Sequence, residues 1–381
     1  MKLKFSKTNR DIDWSVLLFI GFYHILLFAL LPIYLIKVGA PSLSLILSSF
    51  VLYAASGLAI TVGYHRFYSH KTFKLNPVAE FLAISAGNLT AAGTVLDWVH
   101  DHRLHHKFVD TDRDPYNINK GFWWAHFIWL FHRRSNWDQN IIKDLAKNKL
   151  VMFQQRFYVG LMLGTNIAVV LLVGWLSGDY PGAFVFAFLL RMFFGHHCMF
   201  FINSLAHFSG SKPYSTEHTA VNNWFISFLT FGEGYHNFHH TFAYDYRNGV
   251  RWYQFDPSKI IIWCLEKLGL ASDLKRAKKY RILLSLIRED EKLLLKSILR
   301  MKNLTLEKRL RLVEEARSMS SGLYQQIQEL NHCLKEYWGL KKEEIEDQIR
   351  IGELEELITK LTRQFKDEFK EWGQFCNSYA T

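Results

Sequence analysis

Four long apolar stretches separate polar, histidine-rich segments in the first 270 residues, and the remainder follows a different pattern. Trp14 to Ile36, Pro41 to Tyr64 and Phe157 to Leu176 carry no formal charge, and Ala183 to Ile202 is apolar apart from Arg191, His196 and His197. A helix needs about 20 predominantly apolar residues to cross a bilayer. Spans are therefore predicted over about 14–36, 41–64, 157–176 and 183–202. The first run is too long for a signal peptide and lacks a small-residue cleavage site, so it is read as a retained anchor. Val78 to Val95 and Phe225 to Phe231 are short or interrupted by Glu80, Gly87, Asn88 and Gly93, and are expected to lie on the membrane or dip into it.

From Asp273 onward the chain is charged, free of proline and helical in pattern, with Leu283, Leu284, Leu286 and Ile287, then Leu293, Leu294, Leu295 and Ile298, near helical spacing. Ser320-Ser321-Gly322 and Gly339 are expected to divide it into three helices. Thr305 is a weak N-cap candidate, because Lys308 stands where a capping box wants Glu or Gln. The locally acidic last helix (Glu343, Glu344, Glu346, Asp347, Glu353, Glu355, Glu356) reads as a solvated face. The predicted organisation is an all-α integral membrane protein: an N-terminal arm over 1–13, a membrane domain over 14–270 and a charged soluble helical extension over 271–381.

Charge sharpens this picture. The 381 residues hold 46 Lys and Arg against 35 Asp and Glu, a net +11. The N-terminal arm has Lys2, Lys4, Lys7 and Arg10, the link between the first two spans only Lys37, and the link Ser177 to Gly182 none, whereas 13 basic residues lie between His65 and Arg156. Four spans put every basic segment, and both termini, on the cytoplasmic side. Topology and anionic lipid therefore explain the positive charge, and no nucleic-acid partner is expected. The four Cys show no paired spacing, as expected in a reducing compartment.

Sixteen of the 17 His precede residue 271, and their spacing is informative. His65 and His70 follow the second span, His102, His105 and His106 form one His-x-x-His-His triplet, and His236, His239 and His240 form another. Positions i, i+3 and i+4 share a helix face, so each triplet presents three imidazoles together. His65 and His70 diverge on an ideal helix and need a fraying helix end to converge. Asn203 and His207 sit i, i+4 at the end of the fourth span. His24, His126, His132, His218 and His332 are read as ordinary hydrogen-bonded or interfacial residues. Nine converging imidazoles exceed one ion's coordination, so two metal ions are implied, and iron is the expected metal beside apolar, lipid-facing segments.

The motifs His65-Arg-Phe-Tyr-Ser-His70, Asp97-Trp-Val-His-Asp-His102-Arg-Leu-His105-His106, Asn203-Ser-Leu-Ala-His207 and Gly232-Glu-Gly-Tyr-His236-Asn-Phe-His239-His240 resemble the membrane acyl-CoA desaturases of the stearoyl-CoA type. The resemblance covers roughly Ile12 to Leu270. It implies a four-span helical protein with a cytoplasmic cap holding a di-iron site. By that resemblance His65, His70, His102, His106 and His239 hold one iron, and His105, His207, His236 and His240 the other, with Asn203 reaching it through a water. Carboxylates near these motifs, Asp101, Asp110, Asp114, Glu233 and Asp245, are expected to orient the imidazoles. The implied activity is a dioxygen- and electron-dependent insertion of a cis double bond, expected at carbon nine, into a saturated long-chain acyl thioester. Tyr53 and Gly57 are implied to bound the acyl tunnel, and Asp101, Arg133 and Arg134 to contact the head group.

Three positions depart from the acyl-CoA enzymes: Gly93, His100 and Phe200 replace an Asn, an Arg and a Trp that hold the CoA-linked head. Acyl-CoA is the expected substrate, with an acyl carrier protein or a glycerolipid ester as alternative handles. No His-Pro-Gly-Gly signature or Cys cluster appears, so a separate donor, a b-type cytochrome or a ferredoxin with its reductase, is expected. Two rivals remain at this point: a di-iron hydroxylase or ketolase, and a membrane zinc-binding protein or transporter.

Overall fold

The computed structural model describes residues 12–132, 137–342 and 348–379. These residues divide into two compact units: 12–212 with 217–276, and 213–216 with 277–379.

In the first unit, helices α1 (Trp14–Lys37), α2 (Leu43–Ser69), α3 (Pro77–Asn88), α4 (Val95–Phe108), α5 (Phe122–His126), α6 (Gln139–Ile142), α7 (Lys149–Ser177), α8 (Tyr180–His207), α9 (Trp224–Leu229), α10 (His236–Thr241) and α11 (Pro257–Lys267) follow one another. A two-residue antiparallel ladder pairs β1 (Lys74–Leu75) with β2 (Ala271–Ser272). Among the described residues, α1, α2, α7 and α8 are long and apolar enough to cross a membrane. Their outward faces carry Leu18, Phe22, Ile25, Phe28, Phe50, Val51, Ile167 and Leu171, all exposed. Such belts are stable against lipid rather than water, and the chain is a membrane protein. The short helices α3 and α9 also expose large apolar side chains, Val78, Phe81 and Leu82 on one, Trp224, Phe225 and Phe228 on the other.

The long helices overrun the predicted spans: α2 continues through His65 to Ser69, α7 begins at Lys149 and α8 runs on to His207. Each extension has a polar anchor. Asn148 caps α7 by accepting from the Leu150 and Val151 amides. Beyond Leu58, α2 winds as a π-helix over Ala59–Ser69, and the His70 amide donates to the His65 carbonyl at 3.1 Å. The i to i+5 pattern places residues five apart on one face, so the expected fraying helix end is replaced by a regular one. Wide turns of this kind recur at functional sites. At the other end of the unit's polar side, the Asp13 amide donates to the Phe131 carbonyl at 2.8 Å, which puts the start of α1 level with the segment after α5.

The second unit is a helical bundle of α12 (Lys279–Arg300), α13 (Leu306–Lys342) and α14 (Gln348–Ser378). Its core is Ile287, Leu294, Ile298, Leu312, Ala316, Leu323, Ile327, Phe365 and Trp372. Among the described residues there are three helices, as the pattern predicts, but the breaks fall elsewhere. Gly322 and Gly339 lie inside α13, where packing outweighs a glycine cost of about 1 kcal/mol. The first break is at Met301–Thr305, where Thr305 does cap, accepting from the Lys308 amide at 3.3 Å. Part of the acidic run, 343–347, lies outside the described residues.

Candidate metal centre

Each local motif delivers its imidazoles through backbone geometry. The π turn brings the rings of His65 and His70 to 4.9 Å, centroid to centroid. On α4, capped by Thr94, the triplet lies on one inward face, and α10 carries the other triplet. The last turn of α8, a tight 3-10 turn over Leu205–His207, turns His207 inward.

Tertiary folding sorts these nine side chains into two groups. His65, His70, His102, His106 and His239 form one, and His105, His207, His236 and His240 the other, with the ligating atoms of each group within 4.8 Å of one another. In the first group Nε2 atoms face each other at 3.0 Å (His65 to His239), 3.0 Å (His239 to His106) and 2.8 Å (His70 to His102). In the second the separations are 3.2 Å (His105 to His240), 3.1 Å (His240 to His236) and 3.1 Å (His236 to His207). Two nitrogens bound at right angles to one ion, each at about 2.1 Å, lie about 3.0 Å apart.

Hydrogen bonding on the far side of the rings makes the same case. His65 Nδ1 lies 2.8 Å from Glu233 and His105 Nδ1 2.9 Å from Asp114. His207 Nδ1 lies 2.8 Å from the Thr219 hydroxyl, which itself donates to Asp110 at 2.5 Å and so accepts from the imidazole. This network assigns the ring proton to Nδ1 in all three and leaves their Nε2 lone pairs aimed inward. Facing lone pairs repel unless a cation lies between them. Burial first, then the neighbouring imidazoles, holds His70, His102, His106, His236, His239 and His240 well below the usual histidine range. Neutral rings are the ligating form. The donor set therefore fits two divalent first-row ions.

Of the five carboxylates expected to orient ligands, Glu233 and Asp114 bond them directly and Asp110 acts through Thr219. Asp101 lies against His100 Nδ1 at 3.1 Å, and Asp245 pairs with Arg247 at 2.8 Å. Burial would raise Glu233, but His65 and Arg66 outweigh it and bring it down to about 2. Arg66 is fully buried between Glu233 (2.9 Å) and Asp256 (3.0 Å), which ties the first motif to the last. Thr219 and Asp256 stand outside the histidine motifs, and no sequence signal marked them. Tyr116, whose hydroxyl is 3.4 Å from His102 Nδ1, follows Asp114-Pro115 and was within reach of the second motif. Asn203 is the half-buried last residue before Ser204, four positions ahead of His207.

A narrow cavity of about 50 Å³ lies between α2 and α8, lined by Tyr53, Gly57, Ile60, Met192, Met199 and Phe231 among others. The Tyr53 hydroxyl donates to the Leu229 carbonyl at 2.5 Å, and a Cβ built on Gly57 would collide with the Phe231 ring. Gly57 is thus the gap into which Phe231 fits. At the head-group positions, His100 is buried and accepts from the Asp138 amide at 3.1 Å, Phe200 is buried, and the Gly93 amide donates to the Tyr158 hydroxyl at 2.9 Å. Arg133 and Arg134 lie outside the described residues. Outside the two groups, His24 meets His197 at 3.1 Å, His126 meets Ser204 at 2.9 Å, and His132 bonds the Ile128 carbonyl at 3.0 Å.

The fold and site define a helical membrane protein with two all-imidazole groups of a kind that could hold metal ions. Residues 40–261 match the profile of the fatty acid desaturase family, and the chain belongs to that family. It is 39% identical over 249 residues to a probable acyl-CoA desaturase of Schizosaccharomyces pombe, covering 64% of this chain and 52% of that protein. It is 39% identical over 257 residues to acyl-CoA desaturase 1 of Saccharomyces cerevisiae, covering 66% and 50%. With the sn-1 stearoyl-lipid 9-desaturase of Anabaena variabilis it shares 33% identity over 277 residues, 72% of this chain and 98% of that protein. The chain spans about half the length of the two yeast relatives.

Proposed function

We propose that this protein is a di-iron desaturase that inserts a cis double bond, at carbon nine, into a saturated long-chain acyl substrate. The observation that carries the reading is the sorting of nine imidazoles into a five-membered and a four-membered group. His65, His70, His102, His106 and His239 would hold one iron. His105, His207, His236 and His240 would hold the other, with Asn203 joined through a water. Bound iron supplies the redox chemistry with dioxygen that unactivated C–H bonds require. Over a turnover, two hydrogens leave adjacent methylenes, two electrons and two protons enter, and dioxygen becomes two waters.

The protein's part is position. Glu233, Asp114 and the Asp110–Thr219 pair fix ring tautomers and orientations. Tyr53 and Gly57 would bound the acyl chain, so that one pair of methylenes is presented. Both termini and the metal face are placed on the cytoplasmic side, where a separate donor, a b-type cytochrome or a ferredoxin with its reductase, docks. The acyl handle is CoA in the first reading, with Asp101, Arg133 and Arg134 at the head group. An acyl-lipid handle is the second reading. It is favoured by His100, whose buried ring has both nitrogens engaged, by Asp101 and by the Asp138 amide, and so offers no free donor to a CoA phosphate.

Expression in a host without its own desaturase, with fatty-acid profiling and double-bond location, tests the proposal. Loss of two hydrogens at carbon nine supports it. Gain of one oxygen would instead indicate hydroxylation, and purified protein that holds zinc and consumes no dioxygen with reductant would overturn it. Purified acyl-CoA and sn-1 acyl-lipid substrates then separate the two handles.

A further inference from the structure

Among the described residues, His218 lies near the metal centre but outside all four histidine motifs. It stands between Lys212 and Thr219 on the connection that follows α8, and its ring centroid lies 5.2 Å from that of His240. That spacing matches the longest within the four-imidazole group itself, 5.2 Å for His207 to His240, where the other neighbouring rings stand 4.5 to 5.0 Å apart. Both ring nitrogens of His218 are shielded from solvent, and neither meets a hydrogen-bond partner among the described residues. Leaving two such atoms unpaired is costly, and a native structure that does so usually reserves them for a missing partner.

The backbone on either side is held in place. Lys212 Nζ donates to the His218 carbonyl at 2.9 Å, and the Thr219 amide donates to Asp110 at 2.7 Å. Thr219 is itself the group that orients His207. Side-chain rotation alone can therefore re-aim the His218 ring, because its Cα is fixed beside the centre. Its nitrogens are not among the atoms gathered within 4.8 Å in the present rotamer. The two centres are unequal, five imidazoles against four, and a first-row divalent ion accepts more than four donors.

We propose that His218 is an additional imidazole ligand, the fifth, of the second metal ion. It completes that ion's coordination when iron is bound and supplements the water held by Asn203. This rests on the two-ion reading above and deepens it. A nitrogen lone pair forms the bond to the ion, no covalent bond breaks, and no redox partner is needed.

The test titrates ferrous iron, against a competing chelator, into metal-free full-length protein and into His218→Phe, which keeps a planar ring without nitrogen. The expected result is two ions bound in wild type, and in the variant an affinity for the second ion lower by about 10- to 100-fold, with the first unchanged. Millimolar free imidazole restores it, and the Mössbauer doublet of the second iron alone shifts. Equal affinities in both proteins, or a loss that imidazole does not restore, overturns the assignment. Should His218→Phe fail to fold, His218→Ala with and without imidazole gives the same reading. Wild type that binds no second iron overturns the two-ion reading itself, whereas a wild type with two irons and an indifferent variant overturns only this inference.

Discussion

Replacing Glu233 by Gln should empty the five-imidazole centre while leaving the other occupied. The carboxylate is fully engaged. Oε2 faces His65 Nδ1 at 2.8 Å and accepts from Asn248 Nδ2 at 2.8 Å, and Oε1 accepts from Arg66 at 2.9 Å. A Gln of the same size cannot satisfy this set in either orientation. With the amide nitrogen at the first position it faces the His65 proton and the Asn248 amide, and at the second it faces the guanidinium. The cheapest relief moves the His65 proton to Nε2, the atom that must bind metal. Loss of such a supporting carboxylate weakens metal binding by about 10- to 100-fold, or about 1.4 to 2.8 kcal/mol. The assay is ferrous iron titration against a chelator, with bound metal counted by elemental mass spectrometry. Asp114→Asn, whose partner is His105, should weaken the other ion instead. Two irons bound with wild-type affinity in Glu233→Gln would refute the reasoning. So would both ions weakening together in each variant, which would indicate general destabilisation of buried Arg66 rather than a tautomer effect.

Other outcomes follow from particular contacts. Gly57→Leu must displace the Phe231 ring with which even a Cβ collides, so the products should shift several-fold toward shorter acyl chains. Unchanged chain lengths in the profile would separate Gly57 from the tunnel. Trp372 is wholly buried in the second unit, and Trp372→Ala should cost about 3 to 5 kcal/mol there. Hydrogen exchange should accelerate in α12 to α14 while iron content stays at the wild-type value. Asp290, raised by burial and then by Glu289 to about 6, holds its proton more tightly in the fold than in the open chain. Its contribution is present at low pH and lost as pH rises from about 4 through 6. A shift of two units corresponds to about 3 kcal/mol, and solvent access reduces this to roughly 1 kcal/mol. Asp290→Asn should therefore slow hydrogen exchange in α12 at pH 8 and change nothing at about pH 3, below both pKa values.

Much of this was legible in the chain. Apolar runs of some twenty residues have one stable solvent, so the four membrane helices could be placed from the chain alone. The His-x-x-His-His triplets were readable because helical periodicity alone puts their rings on one face. What periodicity could not supply was the route by which His65 joins His70, since the α-helical repeat predicts divergence and only a π turn aligns residues five apart. Nor could it find Thr219 or Asp256, which act on His207 and Arg66 from distant parts of the chain, or foresee that Phe231 fills the notch at Gly57. The tail shows the same limit from the other side: its helix number followed from the pattern, but Gly322 sits mid-helix because packing overrides a small local cost.

By itself, then, the sequence determined which segments are apolar enough to span a bilayer, which residues carry nitrogen ligands and roughly where the charged C-terminal helices lie, because these depend on composition and local repeat. The tertiary structure decided how nine imidazoles divide between two points, which carboxylate holds which ring, and that His218 stands beside His240. Those outcomes depend on side chains far apart in sequence meeting within hydrogen-bond range, a condition that no local pattern encodes.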